Sequence, residues 1–239
     1  MTTIRCGRIA SLPAVALVAA ALALIPASQA FPQAAASPAA SAASRAESRS
    51  LVAHLQRHYQ QTDSFKANFK ETVTRAGAPA RVRSGVIYYR KPGRLRWEFA
   101  DPQPETIVSD GSLIYDYDSG LNQVVETPLK SAFKSQSAAA FLLGVGKVDR
   151  DFETAPVASP PADGLDHAVL TPKGGGEPIE LGIDRKTFNI VTLAVTDALG
   201  NRTEFEFSAV ERNLALESSL FAFTVPAGAD IVSSQGQQQ

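Results

Sequence analysis

From Phe65 to Glu126 apolar and polar residues alternate in short runs, and each run closes on a turn signal. Phe65, Ala67 and Phe69 alternate with Lys66, Asn68 and Lys70; Leu95, Trp97 and Phe99 alternate with Arg94, Arg96 and Glu98. A period of two sends successive side chains to opposite faces, so these runs read as half-buried strands. Strands are predicted over 65–69, 82–90, 95–99, 105–109, 113–118 and 121–126, separated by Gly77-Ala78-Pro79, Pro92-Gly93, Asp110-Gly111 and Ser119-Gly120. Asp110-Gly111 is a hairpin dipeptide that tolerates the positive φ of a tight turn. Four more runs, over 168–171, 179–184, 190–196 and 204–210, follow a loop at 156–161, with Ala198-Leu199-Gly200-Asn201 joining the last two. The pattern predicts a mainly β fold with some α, built on one antiparallel sheet. About ten strands is where an open twisted sheet has to curl.

Helical spacing occurs in two places. Leu51, Val52, Leu55 and Tyr59 predict an amphipathic helix over 48–61. Residues 128–145 carry Leu129, Phe133, Phe141, Leu142 and Leu143 in an Ala-rich, non-β-branched setting, which predicts one or two short helices. Phe221, Phe223 and Val225 close the ordered chain.

The first 30 residues have the layout of a secretory signal peptide. Arg5 and Arg8 precede an apolar run from Leu12 to Ile25, and Ser28 and Ala30 supply small residues for cleavage near Ala30. The run is short for a membrane span, which needs ~20 apolar residues. Cleavage removes two of the 23 basic residues, none of the 24 acids and the one cysteine, leaving a net charge of −3. A bacterial lipoprotein needs Cys directly after the cut, and Phe31 stands there, so an exported protein without a lipid anchor is expected. Residues 31–47, rich in Ala, Ser and Pro, are expected to be a disordered linker. The domain is then expected over 48–232, with a polar tail at 233–239. So even a charge balance provides no strong field for nucleic acid.

Searches for catalytic chemistry return little. His54 and His58 sit four apart on the first helix, but Leu55 stands where a zinc-protease motif needs Glu, and His167 is the one further histidine. Asp116-Tyr117-Asp118 with Gly120 and Asn122 imitates part of a calcium loop, whose twelfth position is Thr127 instead of Glu. Gly174-Gly175-Gly176 lacks the Lys-Ser/Thr of a phosphate loop. The expectation is a protein without catalytic residues, metal or cofactor. What stands out is a set of bulky residues with a common parity inside each strand: Phe65, Phe69, Leu95, Trp97, Phe99, Tyr115 and Tyr117. Alternation alone favours an ordinary filled core over a ligand cavity.

The wording of the strands narrows this choice. Ser84-Gly85-Val86-Ile87-Tyr88-Tyr89-Arg90-Lys91-Pro92-Gly93-Arg94-Leu95-Arg96-Trp97 resembles the signature of the LolA family of periplasmic outer-membrane lipoprotein carriers. Pro102, Val108-Ser109-Asp110-Gly111, Tyr115-x-Tyr117-Asp118, Leu121, Gln123 and Val124 agree with it. So do Asp63 to Phe69, Leu170 to Lys173, Asn201 to Phe207 and Phe221 to Gly228, a match from about residue 50 to 232. The resemblance implies an unclosed antiparallel β-barrel of about 10–11 strands with a helical lid over a hydrophobic cavity. It implies acylated lipoproteins as cargo, released by an inner-membrane ABC transporter and passed to an outer-membrane receptor by a monomeric carrier. Phe65, Phe69, Leu95, Trp97, Phe99, Tyr115, Tyr117, Phe141 and Leu142 are then the expected acyl-chain cavity. Lys91 and Pro92 are the expected cargo-transfer residues, with Lys91 where the family often has Arg. Glu71 and Tyr115 also depart from the family's usual Gln and Trp. Another lipid cargo, or a regulatory lipid sensor with the same fold, stays open at this point.

Overall fold

The computed structural model describes residues 38–101, 104–132 and 148–233. Twelve strands form one sheet: β1 (Ser64–Thr74), β2 (Arg81–Arg90), β3 (Arg94–Asp101), β4 (Glu105–Asp110), β5 (Leu113–Asp118), β6 (Gln123–Pro128), β7 (Phe152–Ala155), β8 (Asp166–Pro172), β9 (Ile179–Ile183), β10 (Ile190–Thr196), β11 (Arg202–Arg212) and β12 (Asp230–Ser233). The spatial order is β12-β6-β5-β4-β3-β2-β1-β11-β10-β9-β8-β7. The two end strands, β12 and β7, do not pair, so the sheet is open. Three short helical segments accompany a long helix, α1 (Pro38–Gln60): α2 (Leu129–Ala132), α3 (Val148–Asp151) and a 3-10 turn at Ser218–Phe221.

All ten strands read from the alternation are present, and two are added. β7 and β12 are four residues each, too short to display a period of two. β12 also breaks the purely antiparallel expectation, since it runs parallel to β6, with Ile231 opposite Val124. Asn122 steers it there: its Nδ2 donates to Gly228 O at 2.9 Å, and its carbonyl accepts Asp230 N at 3.0 Å. The expected tail at 233–239 therefore starts after a strand that includes Ser233.

Helix α1 begins at Pro38, ten residues before the apolar spacing predicts, so the later part of the expected linker is helical. Alanine has the highest helix propensity, and proline is tolerated in a first turn because its missing N–H has no helical acceptor there. Ser48, the first residue of the expected domain, is buried, and its Oγ donates to Ser44 O, inside the expected linker, at 3.0 Å. The apolar edge of α1 then docks on the sheet. Val52 and Leu55 pack with Ala168, Leu170, Ile179, Leu181, Ile183, Ile190 and Leu193 of β8–β10. Full burial of one such leucine is worth about 1.5–3 kcal/mol. We call the face beneath α1 the inner face.

The opposite, outer face is covered by the C-terminal segment that follows β11. The 3-10 turn packs on β3 and β4, and Phe223 stacks on Tyr115 with centroids 5.2 Å apart. Arg90 pins this segment: its guanidinium donates to Leu216 O and to Ser218 Oγ and lies 5.1 Å from the Phe221 ring. Val108 and Val124 are fully buried on this face. Among sequence expectations, the signal peptide, the first residues of the linker, and Phe141 and Leu142 of the expected cavity lie outside the described residues.

Candidate functional site

Register across β11, β1, β2 and β3 gathers aromatic side chains on the inner face. Phe65 lies opposite Tyr89, Ala67 opposite Ile87, and Phe69 opposite Gly85. Leu95, Trp97 and Phe99 continue the same rows on β3, and Phe207 faces Phe69 from β11. Gly85 is what lets the rows close. A Cβ there would stand 1.8 Å from Glu98 O and 2.9 Å from Phe69 Cε1. Without it, Phe69 meets Trp97 and Phe99 edge-on at 5.3 and 5.0 Å, a favourable quadrupole arrangement. Trp97 lies 5.3 Å from Phe205, which stacks on Phe207 at 6.1 Å.

The cluster is graded in exposure. Phe65, Phe69, Leu95 and Phe99 are buried, whereas Trp97, Phe205 and Phe207 keep part of their surface open. Trp97 Nε1 is buried and makes no hydrogen bond among the described residues. Phe205 and Phe207 escaped the sequence reading of the site, although their i, i+2 spacing in β11 carried the signal.

Tyr115 and Tyr117 do not join this cluster, which corrects the expected cavity list. Tyr115 pairs with Val108 and Tyr117 with Thr106, and those residues share the outer face with Arg96 and Glu98. Parity within a strand says which residues share a face; only the register through the Asp110-Gly111 hairpin says which face it is. Phe223 covers both tyrosines, at 5.2 and 6.2 Å.

One end of the inner face is charged. Glu71 and Arg83 extend the rows of Phe69 and Gly85, and Glu105 lies opposite Phe99. Arg83 Nε donates to Glu71 Oε2 and Nη1 to Glu105 Oε2, each at 2.5 Å, and the guanidinium sits 3.9 Å from the Phe99 ring. Burial alone would depress the Arg83 guanidinium, but hydrogen bonds and charge from the two carboxylates override it and hold its pKa up. Burial, then the charges of Glu105 and Asp118, push the Asp116 carboxyl above its usual range, with Arg83 opposing.

Lys91 and Pro92 sit at the β2–β3 turn, away from the aromatic rows. Lys91 Nζ donates to Tyr59 O at 3.1 Å and Gln60 O at 2.8 Å, the last carbonyls of α1. A cation at a helix C-terminus meets the negative end of its dipole, so Lys91 fastens α1 to the turn. Lys91 N also donates to Asp63 O at 2.8 Å.

The two helix histidines both reach the β9–β10 turn. His54 stacks on Phe188 at 5.5 Å, and His58 Nε2 bonds Asn189 Oδ1 at 3.1 Å. His58 is thus half-buried; burial and then Arg212 hold its pKa below the ordinary value, against the Asn189 bond. Among the described residues no three metal-ligating side chains come together. The calcium-like stretch is turn chemistry, since Asp118 Oδ1 accepts Gly120 N at 2.8 Å and Leu121 N at 3.1 Å.

The profile of the outer membrane lipoprotein carrier protein LolA matches residues 60–224 of the chain. This chain belongs to the LolA family. An outer-membrane lipoprotein carrier protein of Cupriavidus pinatubonensis is 37% identical over 150 residues, 62% of this chain and 69% of that one. The like-named protein of Methylobacillus flagellatus is 34% identical over 185 residues, covering 76% and 88%. That of Chromobacterium violaceum is 32% identical over 206 residues, covering 85% and 97%. Both the aromatic face and Lys91 fall inside the stretch that matches LolA.

Proposed function

We propose that this protein is a periplasmic carrier that takes the acyl chains of lipoproteins onto its inner aromatic face and delivers them to the outer membrane. The observation that carries the reading is the partly open surface of Trp97, Phe205 and Phe207 beside buried Phe69, in a chain of the LolA family. The task demands such a surface. Each exposed methylene costs ~0.8 kcal/mol, so fatty chains cross water only when shielded. Aromatic and aliphatic side chains supply dispersion contacts without fixed polar partners, which suits flexible chains of varied length. Phe65, Phe69, Leu95, Trp97 and Phe99 are the proposed acyl contacts, joined by Phe205 and Phe207. Phe141 and Leu142 are proposed as further acyl contacts of the cavity. The signal-peptide layout of residues 1–30 supports export to the periplasm.

Lys91 and Pro92 are proposed to act when cargo is handed on. With its ammonium group on the last carbonyls of α1, Lys91 links the helix position to the turn next to Leu95. The test is a two-step transfer. Inner-membrane vesicles carrying a triacylated lipoprotein and its releasing ABC transporter are incubated with the processed protein, which is then given to the outer-membrane receptor. Stoichiometric release into the soluble fraction followed by transfer supports the reading; a protein left empty at saturating cargo refutes it. Lys91→Leu is expected to load normally and to transfer at least several-fold more slowly.

A further inference from the structure

A groove of about 880 Å³ runs between α1 and β7, lined by none of the residues of the aromatic face. Its floor is apolar, from Val52, Val148 and Phe152, while one wall carries Arg45, Arg49 and Arg57 of α1. The other wall is three successive residues of β7, Glu153, Thr154 and Ala155, with Thr171 and Lys173 at the end of β8. Successive residues of a strand point to alternate faces, so a groove touching all three runs along the strand's backbone edge. Among the described residues β7 is an end strand of the sheet, paired with β8 alone.

The three arginines are exposed and have no ion-pair partner among the described residues. Glu153 is the one acid lining the groove, against three arginines and Lys173. Arg45 and Arg57 are twelve residues apart, about 18 Å along a helix. One lipid headgroup cannot engage both, whereas five or six residues of extended chain, at ~3.3 Å each, can.

We propose that this groove docks an extended acidic peptide segment of a partner protein, added beside β7 as a further strand. Its backbone bonds to the β7 edge, its alternate acidic side chains meet Arg45, Arg49 and Arg57, and the side chains between them rest on Val52 and Phe152. The proposal concerns a surface distinct from the acyl-binding face and does not need lipid on that face.

The test is fluorescence anisotropy with a labelled eight-residue peptide of alternating Glu and Val, titrated with the processed protein. Saturable binding that weakens steeply with salt is expected, with no binding of the Lys-Val counterpart. Replacing the three arginines by Glu should weaken binding at least tenfold without changing the melting temperature, and replacing them by Lys should restore most of it. Methylating alternate backbone nitrogens of the peptide should abolish binding. Equal binding by the methylated peptide, equal binding by the Lys-Val peptide, or no response to charge reversal would overturn the proposal. So would anionic phospholipid vesicles binding with the same arginine dependence while the Glu-Val peptide does not. Leu95→Arg, which targets the acyl-binding face, is expected to leave peptide binding intact, so failure here is separable from failure of the carrier reading.

Discussion

At the scale of single residues the charged end of the inner face is the most consequential feature. Arg83 alone separates Glu71 from Glu105, and its side chain is 15% exposed against 7% and 23% for the acids. Removing one partner of a buried ion cluster leaves charge uncompensated, so Arg83→Met should cost about 3–5 kcal/mol in a denaturant melt. Adding Glu71→Gln to that variant should recover part of the loss. Asp116 provides the pH signature. Its pKa is raised in the fold by burial and by Glu105, so the folded state holds a proton that the unfolded chain gives up near 3.8. The resulting cost is absent below that pH and grows as pH rises through the folded pKa. Asp116→Asn should therefore melt higher than wild type at pH 7, with the gap closing toward pH 3.8; a gap that widens on acidification contradicts the assignment. Little of this cluster was legible in the sequence, because Glu71, Arg83 and Glu105 are 12 and 22 residues apart and meet only through strand register. Tyr115 was misplaced for the same reason, whereas Phe69, Leu95 and Trp97 were legible because each shows its parity locally.

At the scale of elements, two contacts hold the sheet's halves in shape. Leu55 is fully buried between α1 and β8–β10. Leu55→Ala should destabilise by about 2–5 kcal/mol, read as a fall in the denaturation midpoint without a change of slope. Gly85 governs the approach of β2 to β3, where the register shifts between Ser84 and Gly85. A methyl group there collides with backbone that cannot swing away, so Gly85→Ala should cost about 1–3 kcal/mol and blur the packing of Phe69. An alanine variant as stable as wild type would show that the strands can part at no cost. The ten longer strands were legible because alternation and turn residues recur along them. The four-residue strands β7 and β12 were not, since they exist only through pairing with β8 and β6. The early start of α1 was hidden by its composition: an Ala-Ser-Pro stretch reads as linker when no apolar period marks a buried face.

At the scale of the whole molecule, the two faces of one open sheet are used differently. The outer face is sealed by the chain's own C-terminal segment through Arg90, Phe221 and Phe223. The inner face is sealed by α1 over β8–β10 and bears partly open aromatic rings on β11 and β3. That division accounts for a carrier that keeps its greasy surface inside while its exterior stays polar. Family membership was legible from the strand wording, but the face to which each strand contributes needed the register. Trp97 is the chain's one tryptophan and sits in the middle of the open rings, so the protein contains its own reporter. The most direct measurement is its fluorescence during titration with a triacylated lipopeptide. A saturable blue shift, absent with the unacylated peptide and lost in Phe69→Arg, is the predicted result. An emission spectrum that stays fixed through saturating lipopeptide, with the protein folded, would mean that no acyl chain reaches the aromatic face.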